Sequence, residues 1–275
     1  MHNSPDLWHS CYPVPQRDGN KYDRGSALIY GGEVMTGAAR LAARAAQRIG
    51  AGLVTIATPA KALPIYAEAL ESVIVREAND AAAWRDLLAD TKRNAILIGP
   101  GLGLGVQQKE LVLASAEVGK ACVLDAEALT NFADKPDILF SKLHPQCVLT
   151  PHEGEFQKLF GAKVDKDDSK PARAQKAAQL AGCVVLLKGA ETMIASPDGQ
   201  LVSNTNAPAW LATAGAGDVL AGLILGLVAQ KMPIFWATAA AAWIHGESAT
   251  RFGPGLIAED LVDGIPKVMS ELIKS

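Results

Sequence analysis

The stretch Ala95-Ile96-Leu97-Ile98-Gly99-Pro100-Gly101-Leu102-Gly103-Leu104-Gly105 decides the fold class of this 275-residue chain. Its first four residues are apolar without alternation, which is typical of a strand that is covered on both faces of a parallel sheet. The glycines predict a turn at the carboxyl end of that strand, and a helix-compatible segment, Val106 to Val118, follows it. A buried strand, a glycine-rich turn and a helix form the repeating unit of an α/β protein.

The same unit recurs along most of the chain. Further buried strands are predicted at Ala27–Tyr30, Leu53–Ile56, Cys122–Leu124, Cys147–Leu149 and Val184–Leu187. Helices are predicted at Ala38–Ile49, Ala81–Lys92, Val106–Val118 and Ala172–Ala181, and a hairpin at Thr192–Ala195 and Leu201–Ser203. Three successive helices are predicted at Val219–Gln230, Ile234–Arg251 and Glu259–Ile273. We therefore expect a three-layer α/β/α sandwich with a mainly parallel sheet, formed by residues 20–275 as a single domain after a loose N-terminal arm, residues 1–19.

Composition and charge argue against several classes of protein. The formal net charge of -3 provides no basic field of the kind that coats a nucleic acid. The longest apolar stretch, Val219 to Ala229, is about half a membrane span, and no signal peptide is predicted before it. The four cysteines lie far apart, which favours buried thiols in a reducing compartment. We therefore expect a cytoplasmic protein with neither a membrane nor a nucleic acid as its partner.

The segment Thr213-Ala214-Gly215-Ala216-Gly217-Asp218 opens an apolar helix. Its glycines let the backbone approach a ligand closely, and the free amides and dipole of the helix N-terminus favour a phosphate. Asp218 at the mouth of this cradle could accept a proton from a hydroxyl that attacks phosphorus. An aspartate at a helix start is also a common N-cap, and the spacing alone leaves both functions open.

A second candidate site, Thr150-Pro151-His152-Glu153-Gly154-Glu155, directly follows a predicted strand. His152 and Glu155 are three residues apart, so they can share one face of the first helical turn. The Glu155 carboxylate could place Mg²⁺ through water, or Glu153 and Glu155 could simply complement the helix dipole. The spacing does not fit the His-Glu-x-x-His pattern of a zinc site.

A third segment, Lys188-Gly189-Ala190-Glu191-Thr192, also lies at the end of a predicted strand. Lys188 is either a phosphate contact or a solvated lysine. The chain contains no P-loop, no dinucleotide-binding glycine fingerprint and no serine-hydrolase elbow. Because a parallel sheet gathers the carboxyl ends of its strands at one edge, we expect these segments to lie close together.

The order of these sequence motifs along the chain is more specific than any single motif. From about Asn20 to the C-terminus, the chain resembles the ADP/ATP-dependent NAD(P)H-hydrate dehydratases, which are ribokinase-like metabolite-repair enzymes. The resemblance is carried by Gly37–Ala42, Gly50–Val54, Gly99–Gly103, Val123–Leu129, Leu149–Phe156, Val185–Gly189 and Ala214–Gly222.

The resemblance implies a ribokinase-like fold and a two-step hydro-lyase reaction. ADP or ATP phosphorylates the hydroxyl of the hydrated nicotinamide ring, and phosphate is then eliminated to restore NADH or NADPH. Asp218 would be the base that activates the hydroxyl, and Gly215 and Gly217 would line the anion hole. Phosphate leaves far more readily than hydroxide, so phosphoryl transfer prepares the elimination.

The resemblance also implies binding residues, a cofactor and partners. The nucleotide would contact Lys188, Gly189, Ala190, Glu191 and Thr192. The hydrated dinucleotide would contact Gly37, Ala38, Gly103, His152 and Asp218. Glu155 would help to place Mg²⁺. A homo-oligomer is expected, for which the alanine-rich helix Ala237–Trp243 would suit burial, and a separate NAD(P)H-hydrate epimerase is a possible partner.

Two other functions remain open on the sequence. A small-molecule kinase of the same fold, acting on a vitamin precursor or a sugar, would use the same anion hole and Asp218 but release a stable phosphorylated product. A non-catalytic nucleotide-binding or sensing protein would keep the fold without turnover.

Overall fold

The computed structural model describes residues 1–274, and a nine-stranded sheet lies at its centre. The strands are β1 (Ser26–Tyr30), β2 (Leu53–Thr58), β3 (Ile74–Glu77), β4 (Ala95–Ile98), β5 (Ala121–Leu124), β6 (Cys147–Leu149), β7 (Val184–Leu187), β8 (Thr192–Ala195) and β9 (Leu201–Asn204). Their spatial order is β3-β2-β1-β4-β5-β6-β7-β8-β9. All pairs from β3 to β7 are parallel, and the β7–β8 and β8–β9 pairs are antiparallel.

Eleven α-helices accompany this sheet in residues 1–274. They are α1 (Thr36–Arg48), α2 (Leu63–Ala69), α3 (Ala81–Ala89), α4 (Val106–Glu117), α5 (Glu127–Thr130), α6 (Pro136–Phe140), α7 (Glu153–Phe160), α8 (Lys170–Ala181), α9 (Ala216–Ala229), α10 (Ile234–Phe252) and α11 (Ala258–Leu272). One hydrophobic core joins α1, α9, α10 and α11 to one face of the sheet, and a second joins α3, α4, α7 and α8 to the other. The predicted three-layer sandwich is therefore confirmed.

The strand order reverses at β1, which lies between β2 and β4. At such a switch point the loops that leave the two neighbouring strands run apart and open a crevice at the carboxyl edge of the sheet, where α/β proteins bind ligands. β1 and β4 are buried along their whole length because helices cover both faces. The fold thus places a crevice above rigid strands.

Helix α9 is apolar almost all round because it is enclosed by the protein. Twelve of its 14 residues are buried. It packs unusually close to α1, since a Cβ added at Gly222 would lie 2.3 Å from the Ala42 carbonyl oxygen, and one at Gly226 would lie 2.2 Å from Ile49 Cγ2. This close packing fixes the start of α9 relative to the sheet.

The predicted strands and hairpin are present, and the predicted helices match within a few residues. The helix expected at Ala81–Lys92 ends at Ala89. β3 and the short helices α2, α5 and α6 were not predicted. β3 is an edge strand with the mixed sequence Ile-Val-Arg-Glu, so it lacks the continuous apolar run that marks the buried strands.

The N-terminal arm is docked rather than loose over its first twelve residues. Asn3 Nδ2 donates to Asn204 Oδ1 at 2.9 Å and to the Ala239 carbonyl at 2.7 Å. Trp8 is fully buried, donates through Nε1 to Asn3 Oδ1, and meets Trp243 edge-on with ring centroids 6.0 Å apart. The expectation of a loose arm is wrong here because these side chains bond to residues about 200 positions away in the sequence.

The alanine-rich segment Ala237–Trp243 is buried inside the chain itself. Its alanines are at most 5% exposed, and α10 packs them against α9 and the sheet. This segment is therefore not available as an interface, and the expectation that it would serve one is wrong.

The cysteines are unpaired, as their wide spacing predicts. Cys122, Cys147 and Cys183 are buried free thiols, and Cys11 is a partly buried one. Within residues 1–274, no helix has both the length and the apolar character to cross a membrane.

Candidate active site

Lys188 is the centre of a charged cluster at the carboxyl edge of the sheet. It directly follows β7, while Asp125 follows β5 and Glu155 lies in the first turn after β6. Lys188 Nζ donates to Asp125 Oδ1 at 2.8 Å and lies 3.9 Å from Glu155 Oε2. Burial alone would lower the pKa of Lys188, but the two carboxylates outweigh burial and raise the pKa. The predicted convergence of strand ends is confirmed at these residues.

The start of α9 is open toward this cluster. Gly215, at φ +85°, is the N-cap, and a side chain there would meet Leu41 Cδ1 at 2.7 Å. A Cβ added at Gly217 would lie 3.7 Å from Lys188 Nζ. Within residues 1–274, the amides of Gly217 and Asp218 have no hydrogen-bond acceptor, and no side chain caps the helix. Uncapped amides and the positive end of the dipole form a binding place for an anion.

Asp218 is the third residue of α9 and not its N-cap, so the capping function considered for it is wrong. Burial, together with the charges of Asp125 and Glu127, raises the pKa of Asp218 to about 7, although the charge of Lys188 acts in the opposite direction. No hydrogen bond to its carboxylate is present within residues 1–274. A carboxylate with a pKa near neutrality and free oxygens is well suited to general-base catalysis.

The start of α7 is closed by its own side chains. His152 is the N-cap, and its Nδ1 accepts from the Gly154 amide at 3.0 Å. Glu155 Oε2 accepts from the His152 amide at 2.8 Å, which completes a capping box. Glu153 forms an ion pair with Arg173. Burial raises the pKa of Glu155, although Lys188 lowers it.

Two cavities open on either side of the cluster. The first, of about 480 Å³, lies at the β1–β4 switch point and is lined by Gly101, Gly103 and Glu127 among others. The second, of about 750 Å³, is lined by Lys188 and Gly217 and by the apolar residues Ala207, Pro208, Ala209, Leu211 and Ala212. Asp218 lines neither cavity itself; its neighbour Gly217 lines the second, and the charge of Glu127, which lines the first, raises its pKa.

The predicted nucleotide-binding residues fall mostly in the second cavity. Its lining includes Lys188, Gly189, Ala190, Thr192 and Gly217. Glu191 lies outside the lining and is exposed, and its carbonyl accepts from Lys170 Nζ at 2.5 Å. Gly215 also lies outside, because its Cα faces Leu41.

The residues expected to contact the hydrated dinucleotide are divided. Gly103 lines the first cavity and His152 the second. Gly37 and Ala38 lie at the start of α1, outside both linings, next to Met35, which does line the first cavity.

Functional residues that sequence reasoning missed hold the first cavity in shape. Glu127 Oε2 accepts from the Gly101 amide at 3.2 Å, and Asn131 Oδ1 accepts from the Gly105 amide at 3.0 Å. Asn131 Nδ2 also donates to the Gly103 carbonyl at 3.0 Å. Asp125 and Glu127 follow the predicted strand Cys122–Leu124, and that position could have identified them from the sequence. His245, which lines the second cavity, carried no signal within its alanine-rich helix.

The described residues contain no group of three or more His, Cys, Asp or Glu side chains that could hold a metal ion. Mg²⁺ near phosphates needs only one or two carboxylates, with phosphate and water completing its shell. Glu155 fits this requirement, since its Oε1 has no hydrogen-bond partner within residues 1–274 while Oε2 is engaged.

The fold and this site define an α/β protein of the ribokinase-like class, with an open helix N-terminus beside a lysine–carboxylate cluster. A family model described as NAD(P)H-hydrate dehydratase matches residues 27–266. The chain belongs to this family, as its resemblance predicted.

Relatives and a solved structure agree with this assignment. A bifunctional NAD(P)H-hydrate repair enzyme of Salinibacter ruber is 38% identical over 94% of this chain and 51% of that protein. An ADP-dependent (S)-NAD(P)H-hydrate dehydratase of Neisseria meningitidis is 33% identical over 94% of this chain and 89% of that protein. The crystal structure of an ADP/ATP-dependent NAD(P)H-hydrate dehydratase from Bacillus subtilis, co-crystallised with ATP and Mg²⁺, is 28% identical with a TM-score of 0.83, covering 98% of this chain and 97% of that one. The chain spans about half the length of the first curated relatives that it matches.

Proposed function

We propose that this chain dehydrates NADH or NADPH hydrate to NADH or NADPH, using ADP or ATP as phosphoryl donor. The observation that carries the proposal is Asp218, a carboxylate with a pKa of about 7 in the uncapped first turn of α9, next to Gly217 in the lining of the second cavity. Family membership and the name of the Neisseria relative support the same reaction. An enzyme of this kind is a hydro-lyase.

The two cavities suit the two substrates. A nucleotide needs polar groups for its phosphates and apolar surface for its base, and the lining of the second cavity offers Lys188 and Gly217 together with the apolar residues Ala207, Pro208 and Leu211. The first cavity, bounded by the loop after β4, then takes the hydrated nicotinamide ring, with the start of α1 at its edge. His152, in the second cavity, would contact the part of the dinucleotide that extends across the cluster.

Phosphoryl transfer follows from this placement. Asp218 accepts the proton of the substrate hydroxyl, whose oxygen attacks the terminal phosphorus, and the bond between that phosphorus and the departing nucleotide breaks. The free amides of Gly217 and Asp218 stabilise the charge on the moving group, and Lys188 stabilises the charge on the nucleotide phosphates. The ring carbon–oxygen bond then breaks as phosphate leaves, and the loss of a proton from the adjacent ring carbon restores the double bond.

Glu155 would hold Mg²⁺ in the reacting complex. When bound, the ion would neutralise charge on the nucleotide phosphates. Glu155 is fixed by the hydrogen bond from the His152 amide to its Oε2, and its Oε1 has no hydrogen-bond partner within residues 1–274.

The test follows the absorbance band of the reduced nicotinamide. NADH hydrate and NADPH hydrate are each incubated with the protein and ADP, and in parallel with ATP. Recovery of the band together with release of one inorganic phosphate per turnover supports the dehydratase. A stable phosphorylated product with no recovery would identify a kinase instead, and nucleotide binding without any turnover would identify a non-catalytic binding protein.

Assembly and cellular context are part of the proposal. We propose one catalytic unit over residues 20–275 with the docked arm before it, assembled as a homo-oligomer in the cytoplasm and working beside a separate NAD(P)H-hydrate epimerase. Light scattering measures the assembly state. A mixture of hydrate epimers that is only partly consumed, and fully consumed after an epimerase is added, would support the partner.

A further inference from the structure

The second half of the proposed reaction needs a base of its own. When phosphate leaves, the neighbouring ring carbon must lose a proton, and the electron pair of that carbon–hydrogen bond forms the restored double bond. Asp218 carries the proton of the substrate hydroxyl at this stage, so it is not free to accept another one. Because the two ring carbons are bonded to each other, the second proton acceptor belongs in the cavity of the ring and near Asp218.

The lining of the first cavity offers few groups that could accept a proton. Within residues 1–274, its acid–base side chains are Tyr30, Glu33 and Glu127. The Tyr30 hydroxyl donates to the Ala78 carbonyl at 3.3 Å, and burial together with nearby carboxylates raises its pKa to about 12, so it is a poor base at pH 7. Glu33 is exposed, and its charge acts on Tyr30. The charge of Glu127 acts on Asp218 instead, which places Glu127 on the side of the proposed reaction.

The carboxylate of Glu127 is held by one oxygen and free at the other. Its Oε2 accepts from the Gly101 amide at 3.2 Å, in the loop after β4 that bounds the first cavity. Its Oε1 has no hydrogen bond within residues 1–274. One oxygen therefore fixes the orientation of the group, and the other is available as a proton acceptor in the cavity.

The backbone before Glu127 separates two neighbouring carboxylates. Ala126 has a φ of +50°, in the region that residues with a side chain seldom adopt. On one side of this turn, Asp125 accepts from Lys188 Nζ at 2.8 Å in the charged cluster, and on the other side Glu127 reaches the Gly101 loop. Such a strained conformation persists only where the surrounding contacts impose it, and it is typical of functional sites.

We propose that Glu127 is a second base, whose Oε1 takes the proton from the ring carbon next to the departing phosphate. The carbon–hydrogen pair becomes the double bond, the carbon–oxygen pair leaves with phosphate, and Glu127 then returns the proton to water. The inference rests on the proposed function and on the placement of the ring in the first cavity. Two carboxylates thus divide the reaction, since Asp218 serves phosphoryl transfer and Glu127 serves elimination.

The experiment separates these two steps in single turnovers of NADH hydrate with ADP. Rapid quenching measures AMP, which reports phosphoryl transfer, and absorbance measures the reduced-nicotinamide band, which reports elimination. Glu127→Gln keeps an oxygen for the Gly101 amide but removes the base, and Glu127→Asp keeps a carboxylate on a shorter stem. Asp134→Asn is the matched control, because Asp134 is an exposed carboxylate after α5 that pairs with Lys109 and lines neither cavity.

We expect Glu127→Gln to form AMP at a rate within a fewfold of the wild type but to restore the band about 10²-fold more slowly, the usual worth of a general base. The phosphorylated hydrate should then accumulate, and deuterium at the ring carbon should slow recovery of the band further. Glu127→Asp should regain part of the rate, and Asp134→Asn should match the wild type in both steps.

Three results would overturn the inference. The first is recovery of the band at the wild-type rate in Glu127→Gln, which is expected if phosphate or water takes the proton. The second is an equal loss of both steps, because that is the result of a purely structural role in holding the Gly101 loop. The third is a separation of the two steps by Glu33→Gln rather than by Glu127→Gln.

Failure of this inference differs from failure of the proposed function. A wild type that never restores the band removes the dehydratase proposal, and the second base is lost with it. A wild type that restores the band at a rate shared by Glu127→Gln removes only the second base.

Discussion

Two helices, α7 and α9, begin at the same edge of the sheet, and each has a carboxylate at its third residue beside Lys188. In α7 that residue is Glu155, which reaches back to the His152 amide and closes the helix start. In α9 it is Asp218, and the N-cap Gly215 has no side chain with which to cap the helix. The two helix starts therefore differ in one respect. The first-turn amides of α7 are bonded by its own side chains, whereas those of α9 remain free for a ligand.

The difference has a simple chemical origin. Glu155 is one methylene longer than Asp218, which lets it form a capping box, and His152 supplies a ring nitrogen as acceptor. Gly215 is required by its positive φ and by the contact with Leu41, so no side chain can close α9 from that position. The absence of a cap leaves the start of α9 available to a ligand.

Replacing the carboxylate at the open helix has the largest expected effect. Asp218→Asn removes the proposed base while keeping the shape, so the turnover of NADH hydrate should fall about 10²- to 10⁴-fold. ADP binding should remain within a fewfold, because the backbone amides are unchanged. The absorbance assay and calorimetry measure the two quantities. A turnover within tenfold of the wild type would remove Asp218 from the mechanism and make the two helix starts equivalent.

Removing Lys188, the cation beside the starts of α7 and α9, has the next largest expected effect. Lys188→Met should raise the KM for ADP about 10- to 100-fold, since a charge-assisted contact to phosphate is lost. Lys188 also lowers the pKa of Asp218, so its loss should move the acid limb of the pH–rate profile upward. Arg173→Met, which breaks the ion pair with Glu153 outside the cluster, is the control and should leave that limb in place. A Lys188→Met profile that coincides with the wild type would contradict the expected coupling.

The pH profile of the wild type tests the open helix directly. Asp218 is a base only when ionised, and its pKa is about 7, so kcat/KM should fall about tenfold per pH unit below pH 7. Asp125 raises that pKa, and Asp125→Asn should therefore shift the acid limb to lower pH. An acid limb near pH 4 in the wild type would show that the surroundings of Asp218 do not raise its pKa.

Stability should respond in opposite directions at the two helices. The folded-state pKa of Asp218 lies above its ordinary value, so its ionisation opposes folding as the pH rises through about 7; Asp218→Asn should raise the free energy of unfolding at pH 8 by about 1–3 kcal/mol. His152→Ala removes the cap of α7 and should lower the free energy of unfolding by about 0.5–2 kcal/mol. Urea unfolding at pH 8 measures both. A change of the same sign in the free energy of unfolding of both variants would contradict the expected difference between α7 and α9.

The sequence predicts the strands of the sheet well, but it predicts poorly how each helix begins. Strands buried on both faces appear as apolar runs such as Ala95–Ile98, whereas the edge strand Ile74–Glu77 carries no such run. The residues of the charged cluster follow predicted strands, so their convergence could be inferred. Whether a helix is capped depends on backbone angles and side-chain reach. For that reason Asp218 could be located from the sequence, but not distinguished from an N-cap.

Contacts between distant segments were also beyond the sequence. His245 lies in an alanine-rich helix, where its cavity position depends on how α10 packs against α9. Trp8 and Asn3 lie near the N-terminus, and only the folded chain brings them to β9 and α10.

That docking has a consequence for the solution behaviour of the protein. β9 is the last strand of the sheet, and a bare outer strand offers unpaired amides and carbonyls to any other extended chain. The first residues occupy this position instead: the Asn3 amide donates to the Ser203 carbonyl at 2.8 Å, and the Ser203 amide donates to the Met1 carbonyl at 2.9 Å. The chain thus shields the outer edge of β9 against strand addition from another molecule, and we expect changes that displace Asn3 or Trp8 to promote aggregation.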